Sequence, residues 1–433
     1  MIRINDIVAA LTPLVGWQQD YDPAKAIDES LTQTESGLYY QQAHPLMTLE
    51  NIRCIMPDSY DVQYPDWNPA VQYGVGAKVR ENGTTYEAKL ENIAMQPSNS
   101  PQAWVVFDAT TSYLLWLMQG GIVQTVQTFL QMKSLLKESK NLLERRTFFD
   151  GSGRIVNTQP NQGKLVGFEL NPVRSMGVTA KIERIGLQMK GATGMVRVYL
   201  FHSSQVAPVK WQDFEIKKGN GTFEWFSPTD WYMPYISDGN NAGGSWYVVY
   251  NQSDLPDGME AINVTKDWSR EPCMTCNPGD VAGWRELTKY LLISPFKTAA
   301  LETFEEYPEL WDIQDNIYTN TCNYGMNVEV SVGCDLTDFI IRERQMFATV
   351  LQRQVAYNAL RTMALNPSVR VNRNQSNVSL QNILYELDGN TDGRAGGLGY
   401  ELKKAYEALD LDTRGLDRIC LTCRPIGVRY RTV

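Results

Sequence analysis

Histidine is almost missing from this chain. His44 and His202 are the only two among 433 residues. A Ser-His-Asp triad, a Cys-His pair or a histidine-built metal centre would have to use one of them, and neither lies in a recognisable motif. No phosphate-binding loop and no dinucleotide fingerprint occurs. No run approaches the ~18 apolar residues of a membrane span. The start, Met1-Ile-Arg-Ile-Asn-Asp-Ile, lacks the charged region and long apolar stretch of a secretory signal, so synthesis and folding in the cytoplasm are expected. Internal repeats and low-complexity segments are absent. Positive charge is in deficit: the net charge of −9 argues against general or specific nucleic-acid binding. The carboxyl tail, with Arg418, Arg424, Arg429 and Arg431, is a local exception that reads as a solvated or interface-paired end. Carboxylate pairs such as Glu305 and Glu306 are common but no motif places them, so a glycosidase dyad stays an open option.

What is present points to a multidomain α+β protein. The length suits about two to four domains. With 11 Trp and 22 Tyr, aromatics are abundant, which favours β-rich domains or contact surfaces. Residues 1–63 read as an amino-terminal helical and extended region, with helices expected over 5–15 and 27–31 and a partly apolar segment at 46–55. Apolar residues from Leu114 to Leu142 predict one long helix over 110–148, which Gly120-Gly121 would kink or split. From 155 to 300, alternating runs predict eight strands: 165–170, 178–187, 195–202, 211–217, 221–226, 245–250, 261–264 and 290–294. Turn signals such as Lys218-Gly-Asn-Gly separate them, and the set indicates an antiparallel β-sandwich or jelly roll. Trp231, Tyr232, Trp246, Tyr247 and Tyr250 are candidates to line a ligand face there, or to pack the core. Residues 301–433 read as mainly helical, with helices over 337–365, 379–387 and 398–409 and a final strand at 428–433 returning to the sandwich.

The stretch 64–107 is the most specific part of the chain. Asn82-Gly83 between two alternating runs predicts a hairpin. Gly76 permits a turn, and Trp67 and Trp104 bracket a core too small to stand on aliphatics. The spacing of Trp67, Tyr73, Gly76, Val79, Gly83, Tyr86, Ala88 and Trp104 resembles the small chitin- and cellulose-binding modules of bacterial chitinases, which also serve as spacers in phage tail and baseplate proteins. In that family an exposed aromatic follows the Tyr-x-Ala element and stacks on sugar. Here Lys89, Leu90 and Glu91 stand in its place. The resemblance therefore implies the fold with little sugar affinity.

Two Cys-x-x-Cys pairs, Cys273/Cys276 and Cys420/Cys423, match the knuckles with which proteins build a four-thiolate zinc site. Structural zinc is expected there, stapling the sandwich to the carboxyl terminus. Two disulfides, one cross-pair, or free buried thiols are the alternatives. Cys322 and Cys334 are placed to pair across a hairpin, and the seventh cysteine, Cys54, is left over. Asp388-Gly-Asn-Thr-Asp392-Gly begins like a calcium loop. Its twelfth position is Gly399, where a bidentate Glu belongs, so it reads as a polar turn.

The closing stretch Gly415 to Tyr430 and the segment Trp284 to Phe296 resemble structural proteins of tailed bacteriophages that infect Bacteroidetes. That resemblance implies a neck, connector or tail component of the virion. It would assemble as a homo-oligomeric ring with other virion proteins, without catalysis. A carbohydrate-binding adhesion protein and a polysaccharide-degrading enzyme are the other classes in view.

Overall fold

The computed structural model describes residues 2–20, 27–57, 64–133, 141–150, 155–236, 243–264, 266–275, 278–298, 311–365, 383–387 and 396–420. The chain divides into two compact units, each assembled from separated segments. One comprises Ile4–Ser134 and Ile340–Leu411; the other comprises Met1–Arg3, Leu135–Phe339 and Asp412–Val433. Among the described residues no helix is long and apolar enough to cross a membrane.

The first unit is helical with a small β module. Its amino-terminal helix, Ile4–Leu11, gives way to a 3-10 turn, Thr12–Leu14, at Pro13. Strand β1 (Val15–Gly16) then pairs in parallel with β2 (Leu38–Tyr39). The module contains β3 (Gln72–Tyr73), β4 (Lys78–Glu81), β5 (Thr84–Ala88), β6 (Asn92–Ile93) and β7 (Trp104–Val106). They form a three-stranded sheet in the order β4-β5-β7 and a separate β3-β6 pair.

The long helix runs over Ala109–Met132, capped by Asp108, whose carboxylate accepts the backbone N–H groups of Thr110 and Thr111. It passes through Gly120-Gly121 without a break. Gly121 instead marks a close approach: a Cβ there would run into Cγ2 of Val355, on the helix Ala348–Leu365. Phe129 meets Phe347 edge-to-face at 5.2 Å, and Asn358 donates to Gln124 at 2.9 Å along the same seam. The helix Leu398–Ala408 joins through Tyr406, whose hydroxyl donates to Gln354.

The expected helix over 110–148 is too long. Asn141–Thr147 is a strand, β8, with Leu143 buried between half-buried and exposed neighbours. The expected helix over 337–365 is three pieces: Thr337–Arg342, a 3-10 turn Arg344–Phe347, and Ala348–Leu365. Glu343, at φ −91 and ψ 15, interrupts the α geometry.

The second unit is an antiparallel β-sandwich. After β8 come β9 (Ile155–Gln159), β10 (Leu165–Pro172), β11 (Val178–Gly191), β12 (Gly194–His202), β13 (Lys210–Ile216), β14 (Asn220–Phe226) and β15 (Tyr232–Met233). Then follow β16 (Trp246–Asn251), β17 (Met259–Val264), β18 (Leu291–Thr298), β19 (Asn316–Tyr318) and β20 (Met326–Cys334). All eight expected strands appear within this set. One sheet has the order β13-β12-β16-β10-β18-β19. The other has β8-β20-β11-β17-β9, with β14 and β15 also paired to β11.

The core between the sheets takes Phe168, Val198, Trp246 and Val248 from one side and Ile182, Leu187, Val328 and Val330 from the other. A second cluster, Tyr199, Phe201, Tyr247, Phe296 and Trp311, covers the outer face of the six-stranded sheet. Buried on both faces, β16 is a continuous apolar run rather than an alternating one. Strand β20 lies centrally, between β8 and β11, inside the region expected to be helical. Its Val328, Val330 and Val332 alternate with Glu329 and Ser331 in the strand manner. Arg3 is tied to this unit by ion pairs to Asp335 and Asp338 at 3.0 and 2.6 Å. The expected strand at 428–433 lies outside the described residues.

Candidate functional site

The module follows from its turn chemistry. Asn82 and Gly83 both have positive φ, 49° and 85°, as a two-residue primed turn requires, and they set Glu81 opposite Thr84. Gly76, at φ 82°, donates its N–H to the Ala88 carbonyl at 2.8 Å. Tyr73, Val79, Ala88, Ala103 and Trp104 form the miniature core, with Tyr73 and Trp104 edge-to-face at 5.3 Å. Trp104 donates its indole N–H to the Met95 carbonyl at 2.8 Å, and Trp67 packs half-buried against the cluster.

The apolar side chains exposed on the module are aliphatic or Met and stand among polar ones. Val71, Val75, Leu90, Ile93, Met95, Val105 and Val106 are exposed, Val75 at 72%. No exposed aromatic occurs among the described residues of 64–107. After the Tyr86-Glu87-Ala88 strand end, Lys89 donates to the Pro101 carbonyl and Glu91 accepts from Gln72. Strand β7 ends its sheet, and no strand among the described residues pairs with its outer edge, which carries Val105 and Val106.

The sandwich aromatics singled out from the sequence are core. Trp231, Trp246, Tyr247 and Tyr250 are all buried to within 1%. Tyr232 is half-buried, with Arg3 and Lys181 over its ring. These residues support the sheets and present no ligand face.

The cysteines are arranged differently from the expected knuckles. Cys420 is joined by a disulfide to Cys334, with Cα atoms 5.5 Å apart. The surrounding backbone holds it there: Leu416 bridges to Met176, and the Asp417 N–H donates to the Met176 carbonyl at 2.8 Å. A sulfur in a disulfide does not act as a thiolate ligand, so a four-thiolate zinc site requires Cys420 to be reduced. Cys273 is exposed, its sulfur 3.0 Å from the Thr275 hydroxyl. Cys276 and Cys423 lie outside the described residues. Among the described residues no group of three or more His, Cys, Asp or Glu side chains is placed to hold a metal. Cys322 does not pair with Cys334; it is buried, and burial pushes its thiol pKa up. The calcium-like segment 388–393 and the pair Glu305/Glu306 also lie outside the described residues. Glu401 pairs with Arg353 at 3.3 Å.

Neither histidine sits in a nucleophile site. His202 is fully buried; its Nδ1 accepts the Ser204 N–H at 3.1 Å and lies 2.7 Å from the Ser204 hydroxyl, a local turn at the end of β12. His44 accepts the Leu46 N–H at 3.1 Å, and burial lowers its pKa against the upward pull of Glu386 and Glu401.

A groove of about 1010 Å³ lies between the amino-terminal helix and the long helix. Trp116 stands in its wall, 57% exposed, with its ring stacked on Tyr113 at 5.6 Å and 18°. No charged side chain lines it. Nothing in the sequence marks this groove, because Trp116 sits in an otherwise ordinary helical stripe.

No protein-family model matches this chain, and no curated protein or solved structure matches it.

Proposed function

We propose that the chain is a structural protein of a tailed-phage virion, a neck, connector or tail component that works through contacts with copies of itself and with other virion proteins. The observation that carries this reading is the open edge of β7, where Val105 and Val106 are exposed, together with the other exposed aliphatic side chains of the module. Exposed apolar side chains favour protein contact, and an unpaired strand edge offers a row of backbone donors and acceptors to another chain. Valine, leucine and isoleucine offer a sugar no aromatic face. In this reading the module is a docking spacer, the sandwich is a rigid body, and the protein catalyses nothing. A zinc site at Cys273, Cys276, Cys420 and Cys423 belongs to it only in a reduced form of the chain.

Electron microscopy and light scattering of the purified protein test the proposal. A closed ring or array is expected, with interfaces above the ~1,000 Å² of a biological contact. The double substitution Val105→Lys, Val106→Lys should disassemble it while leaving the thermal unfolding of the rest intact. A monomer at every concentration, or assembly indifferent to those lysines, would overturn it.

A further inference from the structure

Gly120 is exposed in the middle of a 24-residue helix, and a Cβ at that position would meet nothing within 4 Å. Its neighbour Gly121 is explained by Val355; Gly120 has no packing reason to be glycine. A glycine inside a helix weakens it relative to alanine, and here it leaves the helix surface bare. What lies beside it is the groove. Trp116 is one turn before Gly120, braced on one face by the buried ring of Tyr113 and otherwise open. Asn5, Gln119 and Gln127 line the same groove. Gln124 lines it too, its carbonyl accepting from Asn358.

We infer that this groove binds an uncharged oligosaccharide. A braced indole offers a flat apolar face for the C–H side of a sugar ring. Each primary amide offers both a donor pair and an acceptor, which matches hydroxyl groups that are themselves both. The absence of charge in the lining disfavours anionic or cationic ligands, and the volume suits a short oligomer. Gly120 leaves the floor beside Trp116 flat, so that a ring can slide against the helix backbone. The site is distinct from the sugar-stacking position of the module, which is occupied by Lys89, Leu90 and Glu91. The inference goes beyond the assembly reading and does not depend on it.

The test uses the full chain. Cellohexaose, chitohexaose and maltohexaose are titrated separately, with tryptophan fluorescence and calorimetry as readouts. At least one should bind with a Kd of about 1 mM or tighter. Trp116→Ala and, separately, Gly120→Leu should each weaken that binding at least about tenfold, equivalent to ~1.4 kcal/mol. Both variants should stay folded with a cooperative unfolding transition, Gly120→Leu at a slightly higher midpoint because it replaces a mid-helix glycine. Failure of all three sugars to bind overturns the inference. So does binding that survives Trp116→Ala unchanged, which would place the sugar elsewhere. If no sugar binds and Trp116→Ala instead breaks self-association, the groove is covered by a second copy of the chain and the inference is also wrong; the assembly reading would then stand.

Discussion

Replacing Cys420 with serine opens the covalent tie to Cys334. The two cysteines are 86 residues apart in sequence. In the chain-entropy view, a crosslink closing a loop of that length raises the free energy of the unfolded state by about 4–5 kcal/mol. Both cysteines lie in the sandwich core, but the backbone tie survives: the Asp417 N–H still reaches the Met176 carbonyl at 2.8 Å, and the Cys420 N–H still reaches the Asp417 carbonyl at 3.0 Å. The loss should therefore approach the entropic figure and appear in the sandwich unit. Urea denaturation followed by tryptophan fluorescence measures it. A reductant should shift the wild-type midpoint by about as much as the substitution does, and should not shift Cys420→Ser further. In parallel, Cys334 and Cys420 should resist alkylation in denatured, unreduced protein. The reasoning fails if both are alkylated without reductant, or if neither reduction nor Cys420→Ser moves the midpoint. In that outcome Cys420 is a free thiol and the four-cysteine zinc reading recovers its ligand. Metal analysis under reducing conditions then decides, with well under one zinc per chain removing that reading too.

The two adjacent glycines of the long helix should respond oppositely to alanine. Gly120→Ala should stabilise the helical unit by about 0.5–1 kcal/mol, the ordinary gain for a mid-helix glycine. Gly121→Ala should destabilise it by about 1–3 kcal/mol, because the new methyl group overlaps Val355; matched melting curves with the same sign for both would contradict the packing described here. Acid should weaken the same unit through His44. Its pKa is lowered in the fold from 6.5, so the unfolded chain takes up the proton first, and the stabilisation present above that value is lost as pH falls through it towards the folded pKa. His44→Gln should flatten the stability profile as pH falls below about 6.5, and a slope unchanged from wild type would exclude His44 as its source.

Much of the architecture was legible because it rests on local chemistry. Alternating or continuous apolar runs, with turn signals between them, placed eight strands of the sandwich. Asn82-Gly83 specified a primed turn, because both residues tolerate positive φ. Apolar spacing placed the start of the long helix, though not its end at Met132, and another helix over Leu398–Ala408. The misses are equally physical. The stretch Asn141–Thr147 became a strand because β20 offered it a partner, and helix propensity is a weak preference beside sheet pairing. Strand β20 carried a readable alternation but sat among helical signals. Which aromatics faced inward could not be read from composition: Tyr247 and Tyr250 are both buried on β16 because a second layer at Trp311 covers the outer face. The two Cys-x-x-Cys pairs invited a local knuckle, yet Cys420 found Cys334, since its partner is set by where the sheet brings the chain and not by spacing. Gly120 and Gly121 look identical in sequence, and only the helix opposite distinguishes them. Local sequence chemistry determined the turns, the helix caps and most helices and strands, whose energies are decided within a few residues. The tertiary structure decided the disulfide partner, the buried faces and the open groove, because each depends on contacts between residues far apart along the chain.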